Sequence, residues 1–204
     1  MGDKHMVLVT GTWGEKSEEE WHKDKKWKDD LADIGIKQLD RDVPFLWSSN
    51  LDGLIGENYD WRSGGAALKN YIEARQCKYG ITNEPINLIS HSHGMQIVAY
   101  AAYFGLRLGT VVTVAGPKRD KLDMQYKSIQ TGSKCWIHVH SDWRDVWQLF
   151  GSLRWGSPFG QARDMKYANK NVYIPHTSHT DLMDFELLRN QGIFRSIMKG
   201  APVQ

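Results

Sequence analysis

A serine that stands between two histidines and precedes a glycine has the clearest chemical potential in this sequence. Residues 90–94 read Ser-His-Ser-His-Gly, between the apolar run Ile86 to Ile89 and an alanine-rich stretch with helical spacing. This order predicts a strand, a sharp turn and a helix, with Ser92 at the apex of the turn. Such a turn exposes the hydroxyl above the sheet and directs the backbone N–H of His93 to the same point. The predicted chemistry is nucleophilic attack on a carbonyl group, with His93 as an oxyanion donor.

A serine nucleophile needs a histidine that takes its proton and a carboxylate that orients the histidine. Downstream of the serine, an apolar run is followed by Asp142 and Asp145, and the short run Val172 to Ile174 is followed by His176 and His179. His179 opens the last helical pattern, whereas His176 lies nearer the strand end. We therefore predict that His179 is the base, and the spacing leaves both aspartates open as the acid.

A second oxyanion donor and a substrate pocket are predicted from the other loops that follow apolar runs. The first run ends in Thr10-Gly11-Thr12-Trp13, where Gly11 permits a tight turn that presents the backbone N–H of Thr12. Four tryptophans in such loops are predicted to line the pocket: Trp13, Trp143, Trp147 and Trp155. The other five are predicted to be packing residues: Trp21, Trp27, Trp47, Trp61 and Trp136.

These residues have to be positioned by alternating strands and helices. Six apolar runs predict strands: Met6–Thr10, Val43–Trp47, Ile86–Ile89, Thr110–Ala115, Lys134–His140 and Val172–Ile174. Helical patterns lie around Trp27–Ile34, around Leu68–Ile72 with an end near Gly80, at Gln96–Phe104 and at Leu182–Ile197. Strands that are apolar on both faces and alternate with helices predict an α/β fold, a mostly parallel sheet with helices on both faces. Ligands bind at the carboxyl ends of such strands, where all of the candidate residues lie.

The sequence resembles the small lipase- and esterase-like members of the α/β-hydrolase superfamily. Those proteins carry a His-Gly-Thr-Trp-like first loop, a Phe-x-Trp-Ser strand, an arginine that opens the next helix and a Gly-His-Ser-His-Gly-Gly turn. The matching segments here are Thr10–Trp13, Phe45–Ser48, Arg62 and Ser90–Met95. The departures are Thr10 for His, Ser90 for Gly and Met95 for Gly, and none removes a group that does chemistry.

The resemblance implies a minimal α/β-hydrolase fold, one domain over residues 1–204 without a large lid. It implies a carboxylic ester hydrolase with the triad Ser92, aspartate and His179, which acts on a small-molecule or lipid ester without a cofactor. The superfamily usually places an apolar residue after the acid. Val146 follows Asp145, which favours Asp145 over Asp142.

Three other functions have some basis in the sequence. The first is metal binding, because histidines stand in close pairs at 91/93, 138/140 and 176/179, and His138 and His140 share one face of a strand. No pair matches the spacing of metal-dependent proteases, so no metal is predicted. A non-catalytic binder on a hydrolase scaffold usually lacks a triad member. A thioesterase or acyltransferase would use the same triad, so the sequence leaves that alternative open.

Composition narrows the classes of partner. The net charge is only +2, with charges of both signs, so nothing predicts binding to nucleic acid. Two cysteines are too few for a disulfide framework. No segment is long enough to span a bilayer, and the first residues lack the apolar core of a signal peptide, so a cytoplasmic protein is expected. Residues 147–170 form an apolar, glycine-punctuated stretch that is either a cap over the pocket or a packed loop. The oligomeric state stays open.

Overall fold

Six parallel strands form a single sheet in this computed structural model, which describes residues 4–11, 25–39, 45, 47, 58–141 and 164–203. The strands are β1 Lys4–Val9, β2 Ile36–Gln38, β3 Ile86–His91, β4 Leu108–Val114, β5 Ser133–His140 and β6 Lys170–Tyr173. Their order across the sheet is β2-β1-β3-β4-β5-β6, and every neighbouring pair is parallel. The predicted parallel α/β architecture is confirmed.

Helices cover both faces of the sheet, so the central strands β3 and β4 are buried along their whole length. One layer contains α2 Asn58–Tyr79, α3 Gly94–Tyr103 and α4 Asp123–Gly132, which pack around a core that includes Trp136 of β5. The other layer contains α1 Lys25–Asp33, α5 Phe185–Asn190 and α6 Ile193–Lys199. There the ring of Trp27 meets Phe185 edge to face at 5.2 Å, as expected for a packing tryptophan.

The edge of the sheet beside β1 differs from the prediction. Of the predicted strand Val43–Trp47, the structure describes Phe45, which makes an isolated parallel bridge with Val9, and Trp47. The strand that pairs with the start of β1 is Ile36–Gln38, which was not predicted. An edge strand of three residues buries only Ile36 fully, so it has no apolar alternation to detect.

Two helical regions also differ. The helix α4 was not predicted, because only Tyr126 and Ile129 are buried in it. The single closing helix predicted over Leu182–Ile197 is in fact a 3₁₀ turn at Asp181–Met183 followed by α5 and α6. The break between α5 and α6 occurs at Gly192, whose φ of +72° is a left-handed conformation that glycine adopts readily.

The carboxyl ends of the strands meet at one edge of the sheet. The register pairs Val9 with Ser90, His91 with Val114, and His140 with Tyr173, so the carboxyl ends of β1, β3, β4, β5 and β6 lie side by side. Within the described ranges, no helix has the length and apolar character needed to cross a membrane.

Candidate active site

Ser92 adopts the backbone conformation of a residue at the apex of a sharp turn. It follows the fully buried strand β3, precedes α3, and has a φ of +50°, which is rare for a residue with a side chain. Its backbone N–H donates to Val114 O at 2.9 Å and extends the pairing between β3 and β4 by one residue. The strand, turn and helix predicted around Ser92 are therefore present, and its side chain is partly exposed.

Two glycines let the loop after β1 approach this turn. A Cβ built on Gly11 would lie 2.9 Å from the Cβ of Ser92, and one built on Gly94 would lie 2.6 Å from Thr10 O. Both distances are too short for a real side chain, so glycine is required by the close approach of the two chains. Trp47 fixes the same loop, because its Nε1–H donates to Thr10 O at 2.8 Å.

His91 connects the turn to the loop that carries His179. Its Nε2–H donates to the backbone oxygen of His179 at 3.1 Å, and the two imidazole rings are 4.5 Å apart between centroids. Burial, and then the proximity of His179, hold the pKa of His91 well below its usual value of 6.5. His91 is therefore neutral at physiological pH, and the predicted base lies beside the residue that precedes Ser92.

His93 joins the turn to the loop after β4. Arg119 Nη2 donates to His93 Nε2 at 3.2 Å, and the ring of Trp61 lies 5.7 Å from the ring of His93. The guanidinium carbon of Arg119 is 6.0 Å from the centre of the Trp61 ring. Burial, and then the charges of Arg119 and His179, lower the pKa of His93 to about 3, so this imidazole accepts a hydrogen bond as a neutral group.

Comparison with solved structures gives the context for this arrangement. The protein TT1662 from Thermus thermophilus aligns over 100% of this chain and 91% of its own, with a TM-score of 0.57 and 12% identity. A predicted CIB-like hydrolase from Thermoplasma acidophilum aligns over 94% of this chain and 86% of its own, with a TM-score of 0.55 and 15% identity. A structure from work on LipS and LipT, two metagenome-derived lipolytic enzymes, aligns over 98% and 94%, with a TM-score of 0.52 and 11% identity.

The chain has the α/β-hydrolase fold. Its neighbours include hydrolases, and identities this low extend the likeness to the fold and not to a substrate. No protein-family model matches the chain, and no curated protein matches its sequence.

Within the α/β-hydrolase fold, the structure places Gly11 against Ser92, and His179 lies beside His91 and close enough to His93 to affect its pKa. His176 lies on the same loop in an exposed position with a φ of +59°. Several predicted site residues lie outside the described residues: Thr12, Trp13, Asp142, Trp143, Asp145, Trp147 and Trp155. The position of the acid and the pocket tryptophans therefore stay predictions.

The departure of Ser90 from the glycine of the resembling family is accommodated in β3. Its side chain is fully buried, and its hydroxyl donates to Val112 O on the neighbouring strand at 3.5 Å. The extra side-chain atoms therefore point into the sheet layer and leave the turn at Ser92 intact.

The second histidine pair forms a buried polar column on β5. His138 and His140 lie on one face with rings stacked at 5.5 Å, as their spacing predicted. Thr113 Oγ1 accepts a hydrogen bond from the Trp136 indole at 3.0 Å and lies 2.8 Å from His138 Nδ1. His140 Nε2 donates to the carboxylate of Asp164 at 3.1 Å. Among the described residues, no group of three side chains of the metal-binding types stands close enough to hold an ion.

A polar cleft of about 910 Å³ lies at the opposite edge of the sheet. It is lined by residues where β3, β4 and β5 begin, including Pro85, Leu108 and Ser133. Because Ser92 follows the carboxyl end of β3, this cleft at the amino ends of the strands is separate from the surroundings of Ser92.

Three residues beside the turn were not identified as site residues from the sequence. Trp61 was predicted to be a packing residue, and it is buried, but it also contacts His93. Arg119 and His91 were given no role. Arg119 follows β4 in a loop at the carboxyl edge, and that location is the one signal that could have identified it.

Proposed function

We propose that the protein is a carboxylic ester hydrolase that forms an acyl-enzyme on Ser92. His179 is the general base, Asp145 or Asp142 orients it, and the backbone N–H groups of Thr12 and His93 bind the oxyanion. Trp13, Trp143, Trp147 and Trp155 line the pocket for a small-molecule or lipid ester. The observation that carries the proposal is the left-handed backbone of Ser92 between a buried strand and a helix, beside the loop of His179.

The reaction follows from these groups. The Ser92 oxygen attacks the carbonyl carbon while its proton passes to the imidazole of His179, and the carbonyl oxygen becomes an oxyanion. When the C–O bond to the alcohol breaks, His179 returns the proton to the leaving alcohol oxygen. A water molecule then loses a proton to His179, attacks the acyl carbon and releases the acid, and the proton returns to Ser92.

The surroundings of Ser92 support the two assigned hydrogen-bond donors. His93 is the residue that follows the nucleophile, at the start of α3, and Gly11, which precedes Thr12, lies against Ser92. Fixed N–H dipoles of this kind stabilise charge that develops in the transition state, with no reorganisation at the moment of reaction. The lowered pKa values of His91 and His93 make both imidazoles weak bases, which supports the assignment of proton transfer to His179.

The test is labelling with a fluorophosphonate probe, followed by mapping of the modified residue. We expect the label on Ser92, and Ser92→Ala should lose labelling and lower kcat for 4-nitrophenyl acetate on the order of a million-fold. Ser90→Ala is the matched control, because Ser90 lies two residues before Ser92, in β3, and is fully buried. It should still be labelled.

Two results would contradict the proposal. Full activity of a folded Ser92→Ala variant would exclude the acyl-enzyme, and absence of labelling in the wild type would favour a non-catalytic binder. To separate a hydrolase from an acyltransferase, the free acid can be quantified in the presence of an added alcohol or thiol. A hydrolase releases the acid as the main product.

A further inference from the structure

A positive charge lies beside the proposed nucleophile. The Arg119 guanidinium is within hydrogen-bond distance of the imidazole of His93, which follows Ser92 directly in the chain. Arg119 is half-buried, and its guanidinium carbon lies at 6.0 Å over the ring of Trp61. Because His93 is a neutral acceptor, this hydrogen bond leaves the charge of the guanidinium in place.

A buried polar network fixes the loop that carries Arg119. The side-chain amide of Gln96 in α3 donates to Pro117 O at 2.6 Å and lies 3.3 Å from the hydroxyl of Tyr126 in α4. The same hydroxyl accepts the backbone N–H of Arg119 at 3.0 Å. Both side chains are buried, so the backbone of Arg119 is tied to the helix that starts at the nucleophile turn.

The indole of Trp61, whose ring the guanidinium overlies, carries a second hydrogen-bond donor. Trp61 is only 4% exposed, and in the described part of the chain its Nε1–H is buried without an acceptor. A buried donor without a partner costs free energy, and most such groups are satisfied in folded proteins. A ligand with acceptor oxygens would satisfy this N–H and pair with the neighbouring guanidinium at the same time.

We propose that Arg119 and Trp61 bind a carboxylate group of the substrate, so that the enzyme prefers esters that carry a negative charge. The planar guanidinium fork matches the two oxygens of a carboxylate, and partial burial strengthens the attraction. This inference rests on the proposed function, because it names the class of ester that Ser92 attacks.

The experiment compares two pairs of esters that differ in charge. Mono-4-nitrophenyl adipate is compared with 4-nitrophenyl hexanoate, which places the carboxylate on the acyl side. In the second pair, 4-acetoxy-3-nitrobenzoate is compared with 4-nitrophenyl acetate, which places it on the leaving alcohol. The measured quantity is the ratio of kcat/KM for the charged ester to kcat/KM for the neutral ester, after subtraction of spontaneous hydrolysis.

Arg119→Gln should lower this ratio about tenfold or more for at least one pair, because a half-buried ion pair is lost. Trp61→Phe keeps an aromatic ring but removes the indole N–H donor, and it should lower the same ratio by a smaller factor. Lys118→Gln is the control for charge, since Lys118 is the neighbouring cation, 3.6 Å from Asp120. Trp27→Phe is the control for tryptophan, because Trp27 packs on the opposite face of the sheet. Both controls should keep the ratio of the wild type.

A measurement on the wild type covers the case in which the variants do not fold. The ratio should fall as salt is raised from 20 to 500 mM, because ions screen the attraction. An unchanged ratio in folded Arg119→Gln would overturn the inference, and so would a ratio in the wild type that does not depend on salt. In either case, hydrolysis of the charged and the neutral ester of a pair would still support the proposed function. Absence of hydrolysis for all four esters would instead contradict the proposed function.

Discussion

The histidines around Ser92 differ in their environments, and these differences support different roles under the proposed function. His91 is buried and His93 is partly exposed, both have lowered pKa values, and each is held by a partner at the turn. His179 is partly exposed on the loop after β6, where a substrate can reach it. At the residue scale, the environment therefore favours His179 as the group that exchanges protons during the reaction.

We expect His179→Asn to lower kcat by at least 10⁴-fold, because the proton of Ser92 then has no acceptor. His176→Asn is the matched control, since asparagine tolerates the left-handed backbone that His176 adopts. The kcat of His176→Asn should stay within about threefold of the wild type, which corresponds to a change of under about 1 kcal/mol in activation free energy. The measurement is steady-state kinetics at equal folded fraction, and an inactive His176→Asn with an active His179→Asn would make His176 the base.

The proposed triad has two candidate acids, Asp145 and Asp142. Asp145→Asn should lower kcat by up to roughly 10⁴-fold with the fold intact, because the imidazole is then held in the wrong tautomer. Asp142→Asn should have a much smaller effect, since an aspartate in such a turn more often caps the loop. Circular dichroism checks the fold, and a reversed kinetic ranking would make Asp142 the acid.

At the residue scale, the sequence predicted the turn at Ser92 but not the contacts that Arg119 and Trp61 make beside it. The turn could be predicted because its context is local: a strand, a small-residue turn and a helix within one stretch of chain. Arg119 meets His93 only after β4 pairs with β3, and Trp61 meets them only after α2 packs on α3. Contacts of this kind depend on tertiary structure and leave no local pattern.

The contact between α2 and α3 brings two helices very close at the element scale. A Cβ built on Gly65 would clash with the Cβ of Tyr100 and lie 2.9 Å from the backbone nitrogen of Ala101. Glycine is normally unfavourable inside a helix such as α2 by about 1 kcal/mol relative to alanine. Here its absence of a side chain permits the close approach, and this approach places Trp61 beside the turn of Ser92.

Gly65→Ala should therefore destabilise the protein, in the range of about 1–3 kcal/mol that overpacking causes, despite the better helix propensity of alanine. The matched variant is Gly64→Ala, whose new Cβ would meet the flexible end of Ile97 at 2.7 Å. It should cost less, because that side chain can move. Urea unfolding measures both, and a Gly65→Ala variant more stable than the wild type would contradict the packing argument.

The elements that the sequence predicted are those with a clear hydrophobic pattern. The strands β3, β4 and β5 are nearly continuous apolar runs, and they form the centre of the sheet. The short edge strand β2 and the weakly amphipathic α4 lack such a pattern, so they were missed. The closing helix was predicted too long because its apolar residues continue past Gly192, where the backbone reverses its handedness.

For the whole molecule, several neutral histidines in the interior predict an acid-sensitive fold. Burial, and then the proximity of His140, lower the pKa of His138 to about 3, and His91 and His93 are lowered as well. In the unfolded chain these groups bind a proton near pH 6.5. The stability that their neutral state supports is therefore present above pH 6.5 and is lost as the pH falls toward the lowered pKa values.

We expect each such histidine to add about 1.4 kcal/mol per pH unit to the decline in unfolding free energy below pH 6. His138→Asn removes one of them at a position away from the nucleophile turn, so the slope of stability against pH should decrease by that amount. Urea unfolding at pH 7, 6, 5 and 4 measures the slope. His5→Asn is the control, because His5 lies at the surface beside Glu84. An unchanged slope for His138→Asn would show that His138 is already protonated in the native state.

Under the proposed function, the left-handed backbone of Ser92 means that catalysis and conformational stability favour different residues at this position. An L-residue in this conformation costs about 1–2 kcal/mol, whereas glycine adopts it without penalty. Ser92→Gly should therefore be more stable than Ser92→Ala by about 1 kcal/mol, the reverse of the order that the two residues show in a helix. If thermal unfolding gave the helix order instead, the turn would be unstrained. If activity were no longer selected for, substitution of Ser92 by glycine would be favoured, because only selection for activity keeps a side chain at this position.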